Sequence, residues 1–209
     1  DYELRTGLYR YRGGYGTYTL DIFEPDYNFM PGPDVSMQYE NNEQQDAYGI
    51  YLQDQLDLGD SLKVMLGLRF DEIAQDIFET KSGVASKSTK NRISPRFGVV
   101  YDVNSAVNLY ASYSEGFLPL SGTDANGKPF GFEESDSFEV GVKFSIEHLS
   151  GTLAWFDATK SNMLVSDSIN VGYSAPVGEA NSRGVELDLS GSLGSNTDYT
   201  LSYAYVDAK

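Results

Sequence analysis

Residues 94–114 read SPRFGVVYDVNSAVNLYASYS, two runs of alternating apolar and polar residues joined by a few turn-forming residues. In the first run, one parity carries Pro95, Phe97, Val99, Tyr101 and Val103. The other parity carries Ser94, Arg96, Gly98 and Asp102, with Val100 as the apolar exception. The second run alternates in the same way. A period of two predicts β-strands rather than helices, so this stretch is expected to form a two-faced antiparallel hairpin.

The same rhythm continues along the chain and predicts about nine strands. We place them near 2–12, 45–58, 61–78, 92–103, 107–116, 135–147, 150–160, 180–192 and 197–208. The expected connections alternate between long and short. The long ones are 13–44, 79–91, 117–134 and 161–179, rich in Gly, Ser, Asn, Asp and Pro. An antiparallel up-and-down sheet would then carry tight turns at one end and long loops at the other, which is typical of outer-membrane barrels.

Composition excludes several classes of protein and site. The chain has 209 residues, 31 acidic against 15 basic, no cysteine and one histidine. The acidic balance argues against nucleic-acid binding, and the absence of cysteine excludes disulfides and thiolate metal sites. No apolar run reaches the roughly 18 residues of a transmembrane helix. No acid–base pair or nucleophile constellation emerges, so we expect no enzymatic activity and no catalytic residues.

Two further features are expected to be structural. His148 falls in a short turn and should be exposed to solvent. A carboxylate group near the start of one strand could in principle bind Ca²⁺ through oxygen ligands, but it lacks EF-hand spacing. We therefore expect a charge cluster and no metal site from Glu133, Glu134, Asp136 and Glu139.

The two parities predict two different environments. The apolar parity, for example from Leu62 to Phe70, should face lipid, with tyrosines such as Tyr101 in an interfacial girdle. The strand at 150–160 is apolar on both parities, and Asp54 falls on the apolar one, where we expect it near the turn end. The polar parity should face the lumen of a barrel. It carries Arg69, Asp71, Arg96, Asp102, Glu139, Lys143, Glu186 and Asp188.

Seven stretches together resemble the barrel of TonB-dependent outer-membrane receptors. They are YGIYLQDQLDL, SLKVMLGLRFD, SPRFGVVYDV, VNLYASYSEGFLPL, SFEVGVK, SRGVELDLSG and YTLSYAYVDA. Each is weak alone, but they occur in the family's order across nearly the whole chain. LDIFEPDY at 20–27 resembles the segment before a long external loop in the ferric-siderophore branch.

The resemblance implies an all-β transmembrane barrel of about 22 strands whose lumen is plugged. Residues 1–209 would form an incomplete, internal segment of that barrel, without the plug or the C-terminal strands, so the first and last strands should have unpaired edges. The implied function is TonB-energised uptake of a ferric siderophore or similar metal chelate across the bacterial outer membrane. The implied partners are that chelate, outer-membrane lipid and the TonB complex, which acts through the plug; no bound cofactor is expected.

Aromatic residues in the long loops are the expected ligand contacts, because a bulky, partly apolar chelate suits stacking and hydrogen-bonding rings. The candidates are Phe117, Phe130, Phe132 and Tyr173. Two other functions stay open at this point. One is a passive porin-type channel, which shares the barrel physics but has no plug. The other is a soluble all-β binding protein, in which a second sheet would cover the apolar face.

Overall fold

The computed structural model describes residues 2–12, 37–79, 83–170 and 172–209. Within these ranges, nine strands form one antiparallel sheet in sequence order. They are β1 (Tyr2–Arg12), β2 (Met37–Leu58), β3 (Leu62–Glu79), β4 (Val84–Asn104), β5 (Val107–Pro119), β6 (Phe132–Ile146), β7 (Leu149–Ser166), β8 (Ser174–Ser192) and β9 (Asp198–Ala208). The described part of the chain contains no helix long and apolar enough to cross a membrane.

The up-and-down topology is confirmed. Each strand pairs with its sequence neighbours, so the tight turns after β2, β4, β6 and β8 all emerge at one end of the sheet, which we call the turn end. The connections after β5 and β7 emerge at the opposite end, the loop end. Each outermost strand, β1 and β9, pairs with a single neighbour. The described residues thus form an open sheet with two free edges, as expected for part of a barrel wall.

The predicted long connection at 79–91 is wrong. β3 runs to Glu79 and β4 begins at Val84, and every residue of 84–91 pairs with a residue of 72–79. This extension carries polar residues on both faces, including the ion pair between Lys87 and Asp76. A strand that has water on both sides needs no apolar parity, so its composition mimics a loop.

The other predicted long connections are also shorter than expected, because strands extend into them. Residues 37–44 belong to β2, and β7 and β8 leave only residues 167–173 between them. The connection between β5 and β6 shortens to 120–131. The rest of the first predicted loop, residues 13–36, lies outside the described residues, as does the LDIFEPDY segment.

The register keeps the two predicted faces separate across the sheet. Val99 lies between Val64 and Ala111 on the apolar face, whereas Gly98 lies on the polar face opposite Ser112. On the ambiguous strand β7, Trp155 shares the apolar face through its pairing with Val140. No second layer covers the apolar face in the part of the chain that the structure describes. Its large side chains are exposed, among them Leu52, Leu68, Phe97, Val140, Leu201 and Tyr203.

Asp54 is a charged residue on the apolar side of β2, where it pairs with Leu66. It lies four residues before Leu58, at which β2 ends. The expectation that it lies near the turn end is confirmed. A charge on the lipid side costs less near the interface than at the midplane, so this position fits a membrane strand.

Large rings on the polar face lie across glycines of the neighbouring strand. A Cβ atom on Gly141 would come within 2.7 Å of the Tyr110 ring, which lies on the directly paired residue. A Cβ atom on Gly184 would meet Phe156 at 3.0 Å and the carbonyl oxygen of Tyr205 at 2.2 Å. These glycines supply the space in which the aromatic side chains lie flat on the sheet.

Buried residues concentrate at one place. The connection 120–131, here named the strap, folds onto the polar face of β2–β4 near the loop end, where its backbone and side chains bond to those strands. Most of the buried side chains lie in the strap or on the strands it contacts: Glu43, Ile73, Gln75, Ile77, Leu120 and Phe130. The strap and the strands beneath it therefore form a small core, whereas the rest of the sheet has a single layer.

Candidate functional site: the polar face of the sheet

All eight residues predicted to face the lumen lie on the same face of the sheet. The ladder pairs place them there one after another, for example Arg96 opposite Gly67, Glu139 opposite Ser112 and Asp188 opposite Thr152. The assignment of this face to a lumen stays a prediction. The shared face is what allows these charges to form cross-strand networks.

Two ion pairs lie on the polar face, one between β3 and β4 and one within β3. Lys63 Nζ lies 2.5 Å from Asp102 Oδ2, and the amide of Asn108 on β5 donates to the same carboxylate. Higher on β3, the Arg69 guanidinium donates to both oxygens of Asp71, at 2.7–3.0 Å. A bidentate pair of this kind fixes the guanidinium plane. Space for the Arg69–Asp71 pair comes from Gly49, since a Cβ atom there would lie 2.2 Å from Arg69 Nη2.

Further polar contacts join β5 to β6 and, separately, β8 to β9. The Tyr110 hydroxyl donates to Glu139 Oε1 at 2.6 Å, and Lys143 Nζ lies 4.9 Å from the centre of the Tyr110 ring. At that distance the ammonium makes a cation–π contact. The Ser202 hydroxyl donates to Asp188 Oδ1 at 2.6 Å. Three of the predicted residues, Glu139, Lys143 and Asp188, are therefore held in place by side chains of the paired strand.

Side chains of β2, β3 and β4 anchor the strap. Gln75 Nε2 donates to Glu43 Oε1 at 3.1 Å and to the Leu120 carbonyl oxygen at 3.3 Å. The Ser121 hydroxyl donates to the other oxygen of Glu43, and Lys90 Nζ donates to the Phe130 carbonyl oxygen. Desolvation beneath the strap, together with the nearby charge of Lys128, lowers the pKa of Lys90. Both ends of the strap are thus held on the polar face.

The tip of the strap is a compact turn built around Asp124. Its carboxylate accepts the backbone N–H groups of Asn126 at 2.8 Å and Lys128 at 2.9 Å. These bonds hold the pKa of Asp124 below its usual value. Gly127, at φ +75°, supplies the left-handed residue that the turn requires. The exposed end of the strap therefore has a defined shape.

The β4–β5 ladder stops halfway up the sheet. Its last pair toward the loop end is Arg96 with Ser114, although β4 continues to Val84 and β5 to Pro119. The next residue of β4 is Pro95, which has no N–H to donate, and proline inside a sheet is confined to edges and bulges. We call the region beyond Arg96 and Ser114, where the β4–β5 ladder has ended, the seam.

Arg92 bridges the seam with side-chain contacts in place of backbone hydrogen bonds. Its Nη2 lies 3.1 Å from Glu115 Oε2, and its Nη1 lies 2.9 Å from Glu134 Oε1. By register Arg92 belongs to the polar face and both carboxylates to the apolar one. The guanidinium reaches them because the ladder has ended. The Arg92 side chain is 26% exposed, and its two charge-assisted bonds link the strands across the seam.

The four predicted ligand aromatics are placed in three environments. Phe117 and Phe132 contact each other, with ring centroids 4.9 Å apart and planes tilted by 54°. Phe130 is 5% exposed beneath the strap, and Tyr173 is 49% exposed beside β8. The structure therefore brings together only one pair of the four. Their role in ligand contact stays a prediction.

The acidic cluster is divided between two cations. Lys160 Nζ lies 2.8 Å from Glu133, and Arg92 binds Glu134. In the described ranges, no group of three or more acidic or histidine residues is placed to hold a metal ion. His148 is exposed in the turn between β6 and β7, as predicted.

The predictions missed the strap anchors and the seam. Ile73 and Ile77 give one signal, because they lie on the polar parity together with Asp71 and Gln75. Apolar residues there indicate that something covers that part of the polar face. Pro95, inside an otherwise regular strand, was the signal for the seam.

Comparison with known proteins places the chain among receptors. The model of the family "TonB dependent receptor-like, beta-barrel" matches residues 1–209. The metal-pseudopaline receptor CntO of Pseudomonas aeruginosa is 37% identical over 200 residues, which is 92% of this chain and 28% of that protein. The ferrichrome outer membrane transporter/phage receptor of Escherichia coli is 32% identical over 196 residues, 91% of this chain and 26% of that protein. The chain thus spans little more than a quarter of these relatives.

Solved structures share the fold. The alcaligin outer membrane receptor FauA of Bordetella pertussis superposes with a TM-score of 0.65 at 25% identity, covering 81% of this chain and 31% of that one. The ferric-catecholate import receptor Fiu of Escherichia coli superposes with a TM-score of 0.69 at 19% identity, covering 98% of this chain and 34% of that one. The nine-stranded sheet therefore matches a portion of a receptor barrel wall.

Proposed function

The chain belongs to the β-barrel family of TonB-dependent receptors, and on that premise we propose that its parent receptor imports a ferric siderophore or similar metal chelate across the bacterial outer membrane. The observation that carries the proposal is the two-faced sheet. One face presents exposed leucine, valine and aromatic side chains, and the other presents charged side chains held in ion pairs. A wall of this kind separates lipid from an aqueous lumen.

Within that receptor, the chain forms part of the barrel wall and contributes to recognition of the chelate, and it has no catalytic role. The apolar face contacts outer-membrane lipid. The polar face lines the lumen, so its charged residues meet whatever fills or crosses it. Phe117, Phe132 and Tyr173 lie at the loop end, where a chelate arriving from outside would meet them first. The family's TonB complex would act through the plug domain of the intact protein.

Energised uptake is tested with the intact receptor in a strain that lacks its own copy. Growth under iron limitation and uptake of ⁵⁵Fe are measured with ferrichrome, ferrioxamine B and ferric citrate. We expect the receptor to restore uptake of at least one chelate, and deletion of tonB to abolish that uptake. A passive porin-type channel would give uptake that persists without TonB and does not saturate. A soluble binding protein would be recovered in the soluble fraction of a cell lysate prepared without detergent.

A further inference from the structure

A cleft of about 400 Å³ opens between β4 and β5 at the base of the seam, and residues of both faces line it, including Leu52 and Leu68 of the apolar face. Its polar side chains come from three strands: Tyr51 and Gln53 on β2, Arg69 on β3, and Ser94 and Arg96 on β4. Glu115 and Phe117 of β5 form the opposite wall. The cleft exists because β5 leaves β4 at this level, so it is a direct consequence of the break at Pro95.

Arg96 is the available cation of the cleft. Its side chain stem lies over Gly67, where a Cβ atom would come within 2.6 Å of Arg96 Cγ. The guanidinium makes no ion pair or hydrogen bond with any side chain that the structure describes. The neighbouring Arg69 is already held by Asp71. The positive charge of Arg96 is therefore uncompensated, in a chain whose formal charge is −16.

Ser94 supplies a second unused group. Its hydroxyl is buried and has no hydrogen-bond partner among the described residues, as is also true of Arg92 Nε. A buried polar group without a partner costs free energy and indicates a missing partner. Ser94 and Arg96 lie two residues apart on the same face of β4, so both groups line the same cleft.

The opposing charge of Glu115 does not cancel this arrangement. Its carboxylate already binds the Arg92 guanidinium at 3.1 Å and accepts the Tyr113 hydroxyl at 2.9 Å. Both oxygens of Glu115 therefore already have partners on its own side of the seam. What remains for an incoming group is one free guanidinium and one free hydroxyl, which together suit an anionic oxygen acceptor.

We propose that this cleft is a subsite for a carboxylate group carried by the transported chelate, with Arg96 as the charged donor and Ser94 as the hydroxyl donor. The proposal rests on the function proposed above and specifies its substrate class. The cleft lies directly beside Phe117, so a chelate held by the loop-end aromatics could place a carboxylate on Arg96. The subsite would favour carboxylate-bearing chelates over neutral hydroxamates.

The test uses the intact, detergent-solubilised receptor and two probes. Ferric citrate carries carboxylates, and ferrichrome carries none. Binding is measured by isothermal titration at low and high salt for the wild type, Arg96→Gln, Ser94→Ala and the charge-preserving Arg96→Lys. Arg183→Gln is the matched control, because that arginine is exposed and pairs with Asp207 far from the cleft. Heat modifiability on gels verifies that each variant is folded.

We expect Arg96→Gln to weaken ferric citrate binding roughly 10- to 100-fold, the range for loss of a charge-assisted hydrogen bond. Ser94→Ala should weaken it several-fold, Arg96→Lys should retain part of it, and the control should retain all. Ferrichrome binding, whatever its strength, should not change. The proposal is wrong if the wild type does not bind ferric citrate, or if Arg96→Gln binds it equally well.

A third outcome would assign the cleft to another partner. If Arg96→Gln lowers the melting temperature of the intact receptor but leaves both affinities unchanged, the missing carboxylate belongs to the protein segment that fills the lumen. That result would overturn the ligand proposal. If the receptor still imports another chelate in a TonB-dependent way, the proposed transport function holds even when the carboxylate subsite is refuted. Failure of the subsite and failure of the transport function can therefore be told apart.

Discussion

Substitution of Val99 by arginine should destabilise the intact receptor by about 2–4 kcal/mol, the usual cost of a cation on the lipid face near the bilayer midplane. Val99 lies on the apolar face between Val64 and Ala111. It is five residues from Asn104, where β4 ends at the turn. At about 3.3 Å per residue and a tilt of about 40°, that separation is roughly 13 Å. Half of a hydrocarbon core of about 30 Å is roughly 15 Å.

The matched control is Thr89→Arg, on the same strand and the same face. Thr89 pairs with Ala74 and lies 15 residues from the turn. With the same rise per residue and the same tilt, Thr89 lies roughly 38 Å above the turn, beyond the hydrocarbon core. Its substitution should therefore cost less than about 1 kcal/mol. Because both positions are strand residues on one face, the difference between them reports depth in lipid rather than strand propensity.

The assay is equilibrium unfolding by guanidinium of the receptor refolded into lipid vesicles. Accessibility gives an independent readout, since the segment contains no cysteine. Val99→Cys should resist water-soluble thiol reagents and be quenched by lipid-phase quenchers after labelling, whereas Gly98→Cys should not be quenched. Equal costs at positions 99 and 89, or equal quenching at 98 and 99, would refute the membrane assignment of this face.

Three other perturbations test local features. Arg92→Leu should lower the free energy of unfolding by about 1–3 kcal/mol, because two carboxylates lose their partner. In the same unfolding assay, substitution of the exposed Lys87 by alanine should lower it by no more than about 0.5 kcal/mol. Gly184→Ala should lower the free energy of unfolding by about 1–3 kcal/mol, because the new methyl group overpacks against the neighbouring strand. Gly131 has open space around it, so Gly131→Ala should be nearly neutral. Equal melting temperatures for the two variants would contradict this reasoning. The lowered pKa of Asp124 means that its turn is stabilised above about pH 4 and loses that contribution as the pH falls through the folded-state value. NMR shifts of the turn amides between pH 6 and 2 should move in the wild type but not in Asp124→Asn.

The strand pattern could be predicted from sequence because one physical rule governs most of it. A strand between lipid and water must alternate, and a shift of one residue would put every side chain on the wrong face. Leu62–Phe70 and Phe138–Ile146 obey that rule and were placed correctly. The rule fails where both faces meet water, as at 84–91. There the alternation disappears and a paired strand resembles a loop.

The site was less predictable because its geometry depends on residues far apart in sequence. Glu43, Gln75 and Ser121 meet only when the strap folds back over three strands. No local pattern encodes that path. The polar parity predicts which charges share a face, but pairings such as Arg69 with Asp71, and the freedom of Arg96, depend on rotamers and on the glycines opposite them.

The seam shows how a single proline can interrupt the hydrogen-bonded ladder of a barrel wall while the strands keep their places in the sheet. Pro95 removes a single donor, yet the ladder beyond it is lost over the remaining length of β5. A bare break of this kind would leave unpaired backbone and two exposed edges. Here Arg92 bridges the strands, and the strap covers the polar face beside them. The break is therefore closed by side chains, and it leaves room for the cleft in which Ser94 and Arg96 have no partner. A wall that is continuous in its ladder could not offer such a recess, so the irregular strand pair is the part of this sheet best suited to recognise a solute.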